Sequence, residues 1–92
     1  MLPSWPSRWQ HDFVVDSLIE QYRAGIDGLL SDKNRVIDQL LDVRLAAADN
    51  PMVVAEVDRL LADVPGITTV ENTWWEAALN SLALAAAAVP TA

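Results

Sequence analysis

The side chains in this chain that could do chemistry are few, and their spacing is helical. Asp12, Asp16 and Glu20 stand four residues apart, and residues at that interval share one face of a helix. Such a column offers oxygens to a hard divalent cation, which takes about six to eight of them. A row of acids is more often a solvated outer face. No Glu-x-x-His or Glu-x-x-Glu pair accompanies this one, as a helical metal centre would need. His11 is the single histidine and cysteine is absent, which leaves zinc without a ligand set. A nucleophilic triad would require His11 beside a serine and an acid. Ser17 follows it along the same stretch, with no third element to complete the geometry. No catalytic residue, metal or cofactor is expected.

Asp16-Ser17-Leu18 resembles the Asp-Ser-Leu signature of acyl carrier proteins, whose serine carries phosphopantetheine. Those proteins are also small, acidic and four-helical, and Ile67-Thr68-Thr69-Val70 is similar to a segment near their C-terminus. The resemblance covers these two short matches. It implies a prosthetic group on Ser17. The chain departs from the pattern elsewhere. Only fifteen residues precede Asp16, too few for the full helix that carriers place before the serine. Ser17 falls inside an apolar period instead of opening a helix, and the distance from Asp16 to Ile67 is too long. The WXG100 class of small helical hairpins has a similar size, but no tryptophan here is followed two residues later by glycine.

Four tryptophans, Trp5, Trp9, Trp74 and Trp75, are many for 92 residues. Tryptophan buries a large area at small entropic cost and is enriched at binding hot spots. Adjacent positions on a helix point about 100° apart, so Trp74 and Trp75 do not share a face. Trp75 continues the row Leu79, Leu82, Ala86 and reads as core. Trp74, with Trp5 and Trp9, is left for a neighbour or a partner. The plain alternative is a satellite cluster in which the N-terminal arm folds back on these rings.

These residues must be positioned by helices, and one pattern dominates. Val15, Ile19, Tyr22, Ile26, Leu29, Lys33, Val36, Leu40, Val43 and Ala47 alternate at spacings of three and four. That is the a/d register of helices packing along a seam. Lys33 is its one charged member. On a seam it would fix register or oligomer state; in a loop it would fix nothing. Ser31-Asp32-Lys33-Asn34 keeps both readings open. Locally it is a turn with Ser31 or Asp32 capping a second helix. Globally the register runs through it, which predicts one helix over about residues 8–48. A second row, Ile37, Leu41 and Leu45, with Leu30 one heptad before Ile37, lies off the seam. It predicts that residues 36–47 are buried between neighbours.

Residues 1–6, with two prolines, form an arm, and residues 7–92 a single helical domain. Ser7 and Gln10 fit a capping box that starts a helix near Arg8. Gly25 and Gly28 mark a weak point or a close approach of another helix. Asn50-Pro51 stops one helix and opens the next, which runs to about Val64 with Val53, Val57 and Leu60 on one face. Ile67 to Val70 is extended or a loop, unable to form a sheet alone. Thr73-x-x-Glu76 predicts the cap of a last helix that Pro90 closes. No internal repeat is visible.

Composition bounds the function. Thirteen acids against six basic residues give a net charge of −7, which repels phosphate backbones and anionic lipid. The arginines, Arg8, Arg23, Arg35, Arg44 and Arg59, are spread out. The longest apolar run, Leu82 to Val89, is far short of the about 20 residues of a membrane span. A cytoplasmic location is expected. Five arginines to one lysine, with abundant alanine and valine, is a composition common in actinobacteria and their phages.

The expected fold is all-α, a three- or four-helix bundle with a long heptad-patterned N-terminal helix or helical hairpin, completed by dimerisation. The expected function is non-enzymatic, an acidic adaptor or regulator acting by protein–protein contact. A phage- or host-encoded modulator that blocks a host protein is one concrete version. Contact residues are expected at Trp5, Trp9, Ile19, Tyr22, Ile26, Leu29, Lys33 and Trp74. The partners are a second copy and a basic or coiled-coil protein, with no nucleic acid and no membrane insertion. The alternatives are an acyl-carrier-like protein and a structural subunit of a larger assembly.

Overall fold

The structure is a computed structural model. It describes the backbone of residues 7–64 and 69–88, and the side chains of residues 14–64 and 69–88. The arm at 1–6, the side chains of Trp5, Trp9, His11 and Asp12, the segment 65–68 and Pro90 lie outside the described residues. Four helices and two short strands occur among the described residues, in the order α1 (Ser7–Ala24), β1 (Leu30–Asp32), α2 (Lys33–Ala46), α3 (Pro51–Ala62), β2 (Thr69–Glu71) and α4 (Asn72–Ala87). The chain is mostly helical and compact. Its elements repeat helix–strand–helix twice, a regularity of structure with no counterpart in the sequence.

The local signals explain most boundaries. α1 ends at Gly25, whose amide donates to the Gln21 and Tyr22 carbonyls at 3.1 Å each. Gly28 follows with φ +77°, a left-handed conformation that favours glycine. Asp32 then caps α2. Its carboxylate accepts the Asn34 and Arg35 amides at 2.8 and 3.2 Å, satisfying donors that have no partner inside the helix. Asn50 does the same for α3, accepting from Met52 and Val53 at 3.1 and 3.4 Å, with Pro51 as first helical residue.

One helix over residues 8–48 is therefore not what forms. The chain breaks, and the break begins at Gly25, earlier than residues 31–34. The glycines lower helix stability there, and the freed segment pairs with a distant strand. β1 and β2 are antiparallel, with Leu30 opposite Glu71, Ser31 opposite Val70 and Asp32 opposite Thr69. Thr69 and Val70 thus join a sheet after all, because the partner strand comes from the first loop. The capping box at Thr73 is also corrected. The cap falls two residues earlier, at Glu71, so that α4 starts at Asn72, and Glu71 makes no side-chain capping bond. The third helix stops at Ala62, short of Val64.

One core joins both halves. Val15, Ile19 and Tyr22 of α1 and Val36, Leu40 and Val43 of α2 pack with Val53, Val57 and Leu60 of α3 and Trp75, Leu79, Leu82 and Ala86 of α4. Val70 plugs it from the sheet. Tyr22 and Trp75 stack with ring centroids 6.4 Å apart. α1 and α3 each pack against both α2 and α4.

Polar ties run over the surface of this core. Arg44 of α2 pairs with Asp58 of α3 at 2.9 Å. Ser81 of α4 donates to Glu56 of α3 at 2.7 Å, and Arg23 of α1 donates to Asn80 of α4 at 2.8 Å. Asn72, 5% exposed, holds the first loop. Its amide nitrogen donates to the Gly28 carbonyl at 2.8 Å and the Asp27 carbonyl at 3.3 Å. Its side-chain oxygen accepts from the Ser31 hydroxyl, and its backbone N–H donates to the Leu29 carbonyl at 2.9 Å.

Candidate functional site

α2 carries two apolar rows, and the fold uses one. A helix turns about 100° per residue. Val36, Leu40, Val43 and Ala47 stay within a narrow arc and are buried. Ile37, Leu41 and Leu45 each advance about 40° on the last, so their row winds away from the core. Ile37 is half-buried, Leu41 is 46% exposed and Leu45 is 79% exposed. Residues 36–47 are thus not buried on all sides, contrary to what the second row predicts. The missed signal is the pair Asp38 and Asp42, one residue beyond Ile37 and Leu41. Both are exposed. Burying that edge would strip two carboxylates of water, which is costly without partners.

The expected contact residues go to different places. Ile19 and Tyr22 lie in the core of the single chain, and Ile26 packs half-buried against it. Leu29 is 86% exposed on the loop before β1. Lys33 is the first residue of α2 and half-buried, so it does not sit in the middle of a continuous seam. Of the ten seam positions, Val15, Ile19, Tyr22, Val36, Leu40, Val43 and Ala47 are buried within one chain. Trp74 is half-buried, and with Asp63, Val64, Val70 and Glu71 it lines a surface pocket of about 270 Å³. Trp5 and Trp9 have no described side chains.

The Tyr22 hydroxyl is pushed up first by burial and then by the charge of Asp42. The Glu56 carboxyl is held below the ordinary range chiefly by its hydrogen bond from Arg59, with Ser81 helping, while burial opposes them. Arg44 is raised by its bond to Asp58. Ser17 is exposed midway along α1, and Glu20 pairs with Arg23 at 2.6 Å.

Two helix–loop–helix units invite comparison with calcium-binding EF hands, whose loop supplies several carboxylates at alternating positions. Residues 25–34 carry Asp27 and Asp32 alone, and Asp32 is occupied as a cap. No group of three or more His, Asp or Glu side chains that could hold a metal occurs among the described residues. No described helix is long and apolar enough to cross a membrane. Comparison with protein-family models, curated proteins and solved structures returns no match.

Proposed function

We propose that this chain acts by protein–protein contact, as a small acidic adaptor or regulator with no chemistry of its own. The supporting observation is the outer row of α2, where Leu41 and Leu45 stand in solvent at 46% and 79% exposure. A single exposed leucine needs no explanation, but two stacked one turn apart on a well-anchored helix form a contact strip. In this reading the four helices are a bundle, closed at one end by the sheet, whose inner rows hold α2 still while its outer row is presented. Seven of the ten seam positions are buried inside the single chain, so most of the seam is not offered to a second copy. The outer row could serve a second copy, but two surfaces of net charge −7 repel each other.

The test is retention of a partner from native-source lysate by immobilised protein, compared with the Leu41→Ser/Leu45→Ser protein. A partner held by the first and released by the second is expected. Retention that ignores the substitution would count against the proposal.

A further inference from the structure

We infer that the outer face of α2 receives a cationic amphipathic helix, with Leu41 and Leu45 against its apolar side and Asp38 and Asp42 paired with its lysine or arginine flank. The inference rests on the reading of α2 as a contact surface and names its occupant.

Three observations point to this chemistry. The first is shape. Leu41 and Leu45 are four apart, the spacing at which one helix offers a ridge to another, and α2 offers 14 residues, about 21 Å at 1.5 Å per residue. That length accommodates roughly four turns of a partner helix. The second is charge. Asp38 and Asp42 repeat the same four-residue spacing beside the leucines, and neither has a hydrogen-bond or ion-pair partner among the described residues. Across the row, Arg44 is already tied to Asp58. The strip is thus bordered on one side by two exposed carboxylates, of which Asp42 also acts through its charge on the Tyr22 hydroxyl, and on the other by a cation already paired within the fold. The third is the whole-molecule field. A net charge of −7 draws in a cationic segment and disfavours an acidic one. An apolar row with an acidic border is the complement of a helix carrying leucines at i and i+4 with basic residues alongside.

The experiment uses the full chain and a labelled 18-residue helical peptide with leucine on one face and lysine beside it. A scrambled peptide of identical composition serves as control. Fluorescence anisotropy at low salt is expected to show saturable binding, weakened about tenfold or more by Leu41→Ser/Leu45→Ser and severalfold by Asp38→Asn/Asp42→Asn. The scrambled peptide should bind about tenfold more weakly, and added salt should weaken the amphipathic peptide. Circular dichroism confirms that each variant is folded; both pairs are exposed, so folding is retained. Equal binding of the leucine-pair variant, equal binding of the scrambled peptide, or no binding would each overturn the inference. Sedimentation supplies the other arm. A two-chain mass that Leu41→Ser/Leu45→Ser reduces to one chain would assign the face to a second copy, overturning the cationic helix while leaving protein contact through α2 in place. Failure of the contact reading itself is distinguished by the lysate comparison, in which partner retention would not depend on the two leucines.

Discussion

Replacing Asn72 with alanine removes the side chain that ties the second half of the chain to the first loop. The backbone bond from Asn72 to Leu29 at 2.9 Å survives, so the substitution isolates the carboxamide. Two good hydrogen bonds are lost, one to the Gly28 carbonyl at 2.8 Å and one from the Ser31 hydroxyl. The contact with Asp27 at 3.3 Å is longer and weaker. Each intramolecular bond contributes about 0.5–1.5 kcal/mol net. Gly28 and Asp27 are exposed, so water takes over part of the loss, and the expected cost is about 2 kcal/mol. With a urea dependence of about 1 kcal/mol per molar for a small domain, the unfolding midpoint falls by about 2 M. Asn72→Asp sharpens the test. It keeps the acceptor for Ser31 but turns a carboxylate toward two carbonyls, so at neutral pH it should cost more than alanine. That carboxyl would have a raised folded-state pKa, and its penalty should shrink as pH falls toward the ordinary aspartate value of about 3.9. Urea unfolding followed by far-ultraviolet circular dichroism reads all of this. A midpoint change below about 0.5 M for Asn72→Ala, or equal stability of the asparagine and aspartate forms at pH 7, would refute the clamp.

Three further outcomes are expected. Leu40→Ala should cost about 2–5 kcal/mol and Leu45→Ser less than about 0.5 kcal/mol; equal losses in urea unfolding would contradict the assignment of inner and outer rows on α2. Gly28→Ala should destabilise by about 1 kcal/mol although nothing lies within 4 Å of the added methyl group, because φ +77° is strained for any side chain. An unchanged midpoint would show that the loop adopts another conformation. Glu56, whose folded-state pKa is lowered first by Arg59, contributes stability that is complete above the ordinary glutamate value of about 4.3 and fades as pH falls through the lower folded-state value. Glu56→Gln should therefore flatten the stability profile below about pH 4.3, and an unaltered slope between pH 5 and pH 3 would argue against it.

The helices were legible wherever a residue acts on its own neighbourhood. Asn50-Pro51 marks a start because an asparagine oxygen and a proline ring suit the first turn of any helix, and the structure places the start of α3 there. Ser31 and Asp32 were both candidate caps in a stretch that the register also reads as continuous helix, and Asp32 is the one that caps α2. The inner faces followed from period alone: Val53, Val57 and Leu60 on α3, and Trp75, Leu79, Leu82 and Ala86 on α4, are all buried. The candidate surface was half legible. Ile37, Leu41 and Leu45 stood out as a second row, but apolar character says that a row seeks cover and not whether the same chain supplies it. Asp38 and Asp42 held the answer, through the cost of burying their charge.

By itself, then, the sequence determined a helical chain with an acidic surface, the cap of α3, and the inward faces of α3 and α4, since these depend on interactions within one or two turns. Tertiary structure decided what the register could not. A three–four spacing counts residues without recording direction, so it runs unbroken through a chain that stops at Gly25, turns, and restarts at Lys33. Pairing Ser31 with Val70 brings together residues 39 apart, and Asn72 finds its partners 41 to 45 residues away. No local propensity encodes such contacts. They exist because the sheet and the Asn72 clamp satisfy backbone groups freed by the break; α2, packed against α1 and α3, buries only one of its two rows.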